Sequence, residues 1–142
     1  MQSNGRAAPG SSPEGGRGVE NLRLQTAVRV DGPHPTLVVS GEIDVFTAPL
    51  FKQAVVNLVA DGQRHLFLDM RDVTFMDSSG FGALLGATKR LRPDGGSLNL
   101  IGCNRTIQRM LHLTRLDTIL GLYESEEEAM AAVRERSTAS SD

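Results

Sequence analysis

The chain has 142 residues, is 39% hydrophobic and 23% charged, and carries a formal net charge of −2 with a single cysteine, Cys103. That length suits one domain with its own apolar core, and the weakly acidic balance gives no electrostatic footprint for nucleic acid or an anionic membrane. One cysteine excludes an intramolecular disulfide framework and fits a reducing cytoplasm, while no run approaches the ~20 apolar residues of a membrane span.

Residues 1–20 hold five Gly and two Pro and almost nothing apolar. Such a segment cannot bury enough surface to offset its ordering entropy, so it is expected to be a disordered tail, and it has no apolar stretch of signal-peptide type. The domain is expected over residues 21–134, with 135–142 a flexible tail. Leu22, Leu24, Thr26, Val28 and Val30 keep the period of a half-buried strand. Asp31-Gly32-Pro33 is turn chemistry, and residues 36–40 form a second strand, giving a hairpin. Gly41-Glu42-Ile43-Asp44 closes it and leads to Thr47, an expected N-cap, with Pro49 inside the first turn.

Residues 48–60 place apolar side chains on one helical stripe, stopped by Asp61-Gly62. Residues 65–70 read as a buried central strand, followed by a short charged connection. Residues 79–91 predict a second helix with Phe81, Leu84, Leu85, Thr88 and Leu91 inward, ended by Pro93-Asp94-Gly95-Gly96. A strand over 97–102, a short helix over 106–113 capped by Asn104, and a strand over 118–123 follow. Ser125-Glu126-Glu127-Glu128 is a capping box for a last helix that frays from Arg134. The expected fold is α/β: an initial β-hairpin, then alternating helices and strands in a mixed, mostly parallel sheet with helices packed on it.

A catalytic site is hard to assemble from these residues. His34, His65 and His112 form no Ser/His/Asp set and no metal-ligand spacing, and Cys103 reads as a small core residue. Neither a catalytic residue, a metal nor a cofactor is expected. The chemistry concentrates in Met76-Asp77-Ser78-Ser79-Gly80, where a carboxylate and two hydroxyls meet a helix start, a place that favours acidic caps and tolerates phosphate. Three motif readings of this stretch fail on spacing. Gly80-Phe81-Gly82-Ala83-Leu84-Leu85-Gly86 has one residue too many for a dinucleotide fingerprint. Asp77 stands where a hydrolase elbow needs glycine. Asp69 ends a central strand as a phosphoacceptor would, but the acidic pair after the first strand and the late lysine of a receiver domain are missing.

Met76-Asp77-Ser78-Ser79-Gly80, preceded by the strand ending in Asp69 and by Val73-Thr74-Phe75, resembles the anti-sigma factor antagonists of the STAS domain family. Gly41-Glu42-Ile43-Asp44 with Thr47-Ala48-Pro49 matches a second family motif, and Leu98-Asn99-Leu100-Ile101-Gly102 with Asn104 a third. The resemblance covers about residues 22–133; Phe46 and the glycine-rich tail depart from the pattern. It implies a cytoplasmic, non-enzymatic STAS protein whose unmodified form binds an anti-sigma factor serine kinase of the GHKL type and releases the sigma factor. Phosphorylation of a motif serine would end the interaction until a serine phosphatase reverses it. By motif position Ser79 is the expected phosphoacceptor and Ser78 the alternative. Asp44, Asp77, Ser78, Ser79 and Gly80 form the expected partner surface. The competing expectations are a nucleotide-binding STAS protein, disfavoured by the absence of a glycine-rich phosphate loop with lysine, and a STAS component of a stress-sensing complex.

Overall fold

The computed structural model describes residues 23–140, with side chains through residue 136; the N-terminal segment expected to be disordered lies outside the described residues. Strands β1 (Leu24–Arg29) and β2 (Thr36–Ile43) form the expected antiparallel hairpin. There follow α1 (Ala48–Ala60), β3 (His65–Met76), α2 (Ser78–Leu91), β4 (Ser97–Ile101), α3 (Arg105–Leu113), β5 (Gly121–Tyr123) and α4 (Glu126–Ser140). The five strands lie in the order β1-β2-β3-β4-β5, and every pairing after the hairpin is parallel.

This order decides where the helices go. Each parallel crossover steps to the next strand in the same direction, and right-handed crossovers then place all their helices on one face. Accordingly Leu66 and Leu68 of β3 and Leu98 and Leu100 of β4 pack with Phe51, Leu84 and Leu111 from α1, α2 and α3. The alternate residues Phe67 and Ile101 face the other way and meet Ala129 and Val133 of α4. The period of two thus divides one strand between two cores.

Several expectations need correction. β3 continues through residues 71–76 instead of ending in a charged connection, and β2 takes in Gly41-Glu42-Ile43; the two extensions pair with each other down to Ile43 opposite Met76. Register shifts at Val38/Ser40 and Gly41/Glu42 accompany the pairing. Gly41 has φ +111°, and a Cβ there would lie 2.1 Å from the Arg23 carbonyl oxygen, so the irregularity requires glycine. In β1 burial falls from Leu24, fully buried, to Val28 at 49% exposure, and Val30 beyond it is 73% exposed, because this is an edge strand flanked on one side only. Residues 116–118 form a 3-10 turn, which shortens β5. α4 runs to Ser140 instead of fraying from Arg134.

Asp69, the strand-end acid, is buried and serves as a clamp. Its carboxylate accepts hydrogen bonds from Arg71 Nε at 3.0 Å and Arg71 Nη2 at 2.7 Å, with Arg29 Nη1 at 3.6 Å. Arg29 also pairs with Glu126, tying the start of α4 to the sheet. Burial raises the Asp69 pKa, but the Arg71 hydrogen bonds and the charges of Arg71 and Arg29 outweigh it and hold the group below its ordinary value. A depressed folded pKa adds stability above the unfolded value of ~3.9 and loses it as pH falls through the folded value. Asp69→Asn is therefore expected to lower the urea midpoint at pH 7, with the gap to wild type closing as pH falls below about 4.

Candidate functional site

Parallel pairing of β2 with β3 brings both sequence motifs to one pole. Ile43 and Met76 are the last paired residues, and the Asp77 N–H donates to the Ile43 carbonyl at 3.0 Å. The segments that follow, residues 44–47 and 77–80, therefore leave the sheet side by side at its carboxyl end.

Asp77 is the N-cap of α2, as its position predicts: its backbone is extended and its Oδ1 accepts the Ser79 N–H at 2.8 Å. Ser78 is the first helical residue and is exposed, whereas Ser79 is half-buried. Among the described residues neither serine hydroxyl has a hydrogen-bond partner. Gly80 is buried, and a Cβ there would come within 2.4 Å of Met76 Cγ and 2.9 Å of Ile43 Cγ2. It lets α2 start hard against the strand ends and presents no surface of its own.

Asp44 is also buried. Its Oδ1 accepts the backbone N–H groups of Phe46 at 2.9 Å and Thr47 at 3.0 Å, and its other oxygen pairs with Arg23. Thr47, expected as an N-cap, makes no capping bond. Its hydroxyl instead donates to the Glu42 carbonyl at 2.7 Å and accepts the Asp44 N–H at 2.9 Å. The carboxylate thus organises the turn into α1 and turns Val45 and Phe46 outward, at 59% and 80% exposure. The Arg23 guanidinium stands 5.9 Å from the Phe46 ring centroid. Phe75, 49% exposed, adds a third apolar group on the strand entering this pole. The sequence reading left these three outside the site; the signal available was an aromatic and a β-branched residue in a loop, where no periodic pattern buries them.

From the pole a groove of ≈ 650 Å³ runs between α1 and α2, with Val45 and Ser79 in its lining. Gly82 and Gly86 line it, and a Cβ on either would meet nothing within 4 Å. Each costs the helix about 1 kcal/mol relative to Ala, with no internal packing in return.

The remaining reactive side chains lie elsewhere. His65 Nδ1 is 2.8 Å from Ser97 Oγ, His112 Nδ1 is 3.0 Å from Asp117 Oδ2, and His34 rests against the Phe67 ring. Cys103 is buried, and desolvation pushes its thiol up to about 12. No helix among the described residues is long and apolar enough to cross a membrane.

A family model described as the STAS domain matches residues 25–129. The anti-sigma-B factor antagonist of Staphylococcus aureus (strain NCTC 8325 / PS 47) is 30% identical over 107 residues, covering 75% of this chain and 97% of that protein. The crystal structure of an anti-sigma factor antagonist from Mycobacterium paratuberculosis is similar with a TM-score of 0.71 at 33% identity, over 78% of this chain and 94% of the other. The Bacillus cell fate determinant SpoIIAA, solved in its phosphorylated form, shares the fold with a TM-score of 0.59 at 22% identity, over 77% of this chain and 99% of SpoIIAA.

Proposed function

The chain belongs to the STAS domain family, and from that premise we propose that it is an anti-sigma factor antagonist switched by serine phosphorylation. In its unmodified form it binds an anti-sigma factor that is itself a serine kinase of the GHKL type, and the bound kinase lets go of its sigma factor. Phosphate transferred to the Asp77-Ser78-Ser79-Gly80 turn ends the interaction, and a serine phosphatase restores it. The chain acts in the cytoplasm as a regulatory binding protein.

The observation that carries this reading is the Asp77-Ser78-Ser79 turn at the start of α2, with both serine hydroxyls lacking a hydrogen-bond partner among the described residues, set beside a loop that presents Val45 and Phe46 to solvent. Motif position favours Ser79, with Ser78 the alternative, and Ser79 lines the open groove, where a kinase can reach it. A phosphate there adds about −1.5 to −2 charge at pH 7. The helix N-terminus tolerates that charge, so the fold need not move. A fitted apolar interface does not tolerate it: even ~3 kcal/mol of repulsion and desolvation weakens binding about a hundredfold. SpoIIAA, which shares the fold, has been solved phosphorylated.

The test is a pull-down from native cytosol with the full chain as bait, before and after phosphatase treatment of the bait. The dephosphorylated bait is expected to retain a GHKL-type serine kinase, and a Ser79→Asp bait to retain little of it. Equal retention by both baits, or retention of no kinase, would count against the reading.

A further inference from the structure

The groove between α1 and α2 holds the second half of the partner site: we propose that it receives an amphipathic helix of the anti-sigma kinase, with small or apolar residues facing inward and carboxylates at its edges. This rests on the function proposed above and extends it from a single turn to a surface.

The glycines are the first argument. Gly82 and Gly86 sit inside a helix, where glycine is unfavourable, and neither has positive φ nor a neighbour that a Cβ would strike. The fold has no use for them. A bare backbone stripe facing an open groove is what a second helix needs for close approach, a logic shared by small-residue crossings generally. The second argument is shape. The lining extends from Ala48 to Val59 on α1 and from Ser79 to Arg90 on α2, about 16 Å at 1.5 Å per residue, or some three turns of helix. Val55, Val56 and Val59 supply an apolar wall, the arrangement of helix-in-groove recognition.

Charge selects the occupant. The charged residues lining the groove are Lys52 and Arg90, no acid lines it, and the chain as a whole is acidic. Neither cation pairs with another described residue. Lys52 lies one turn into α1 and Arg90 in the last turn of α2, so carboxylates about two turns apart on the incoming helix would meet both. The lining of the groove includes Val45 and Ser79, so an occupant is continuous with whatever contacts the serine turn.

The experiment uses the full chain and the kinase retained in the pull-down. Three variants are compared with wild type for kinase affinity and thermal midpoint: Lys52→Glu with Arg90→Glu, Gly86→Leu, and Gly82→Ala with Gly86→Ala. The first two are expected to lose at least tenfold in affinity, the charge pair with an unchanged thermal midpoint and Gly86→Leu with one no lower than wild type. The alanine pair is expected to melt several degrees higher while also binding more weakly. A photoreactive label on Lys89→Cys, next to the groove residue Arg90 in the last turn of α2, is expected to join to an acid-bearing helical segment of the kinase; Cys103 is buried. Wild-type affinity in the first two variants overturns the groove proposal and leaves the switch intact. So does a cross-link to a second copy of this chain, or to another protein, or no cross-link from a bait that retains the kinase. A lower thermal midpoint in the alanine pair overturns the argument from the glycines. A wild-type bait that retains no kinase overturns both proposals.

Discussion

Ser79→Ala is expected to abolish phosphate uptake from the kinase and ATP, while Ser78→Ala keeps most of it and both variants still bind. The two hydroxyls are adjacent in sequence but not equivalent in space. Ser78 opens α2 and is exposed, whereas Ser79 lines the groove between α1 and α2, its N–H held by Asp77 Oδ1 and its hydroxyl without a hydrogen-bond partner among the described residues. Transfer requires the acceptor oxygen in line with the γ-phosphate, and the Asp77 bond fixes the Ser79 backbone beside the surface proposed to receive the kinase. Intact mass after incubation decides the matter, with peptide mapping to locate the phosphate. Uptake lost in Ser78→Ala and kept in Ser79→Ala would move the acceptor to Ser78.

Asp44→Ala is expected to cost about 2 kcal/mol of stability, because it removes the side-chain acceptor of the part-buried Phe46 N–H and of the buried Thr47 N–H. At this domain size that lowers the thermal midpoint by roughly 10 °C. The ion pair with Arg23 contributes much less, since the Arg23 side chain is 47% exposed and surface pairs are worth about 1 kcal/mol or less. Arg23→Ala should therefore be mild, and Asp44→Asn, which keeps an acceptor for the Phe46 and Thr47 N–H groups, should lie near it. Urea midpoints for the three variants separate the causes. Equal losses in Asp44→Asn and Asp44→Ala would mean that the charge, not the hydrogen bonding, holds the loop.

Much of the architecture is legible in sequence because the signals are local. Asp77 before two serines is a cap, and it caps. The hairpin, the alternation of strands with helices, and α1 follow from periodicity and turn residues. What is not legible depends on partners far along the chain. Residues 71–76 look like a charged connection because Arg71, Asp72, Thr74 and Phe75 are exposed while Val73 and Met76 are buried, a spacing of three where a regular strand would show two. The register shifts against β2 produce that spacing, and only the pairing reveals them. Thr47 carries cap chemistry, yet its hydroxyl is committed to the Glu42 carbonyl, so the turn belongs to Asp44. Asp44 and Gly80 look like contact residues and are buried, one organising a loop and the other admitting a helix. Val45, Phe46 and Phe75 carry the exposed surface instead, and a sequence pattern does not distinguish an apolar residue that finds a core from one that is left outside it.

The account is tested most directly by titrating the purified kinase with this chain before and after stoichiometric phosphorylation at the serine turn. A dissociation constant at least about a hundredfold weaker for the phosphorylated form, with the fold unchanged by circular dichroism, is the predicted result. Equal affinity for the two forms would contradict it.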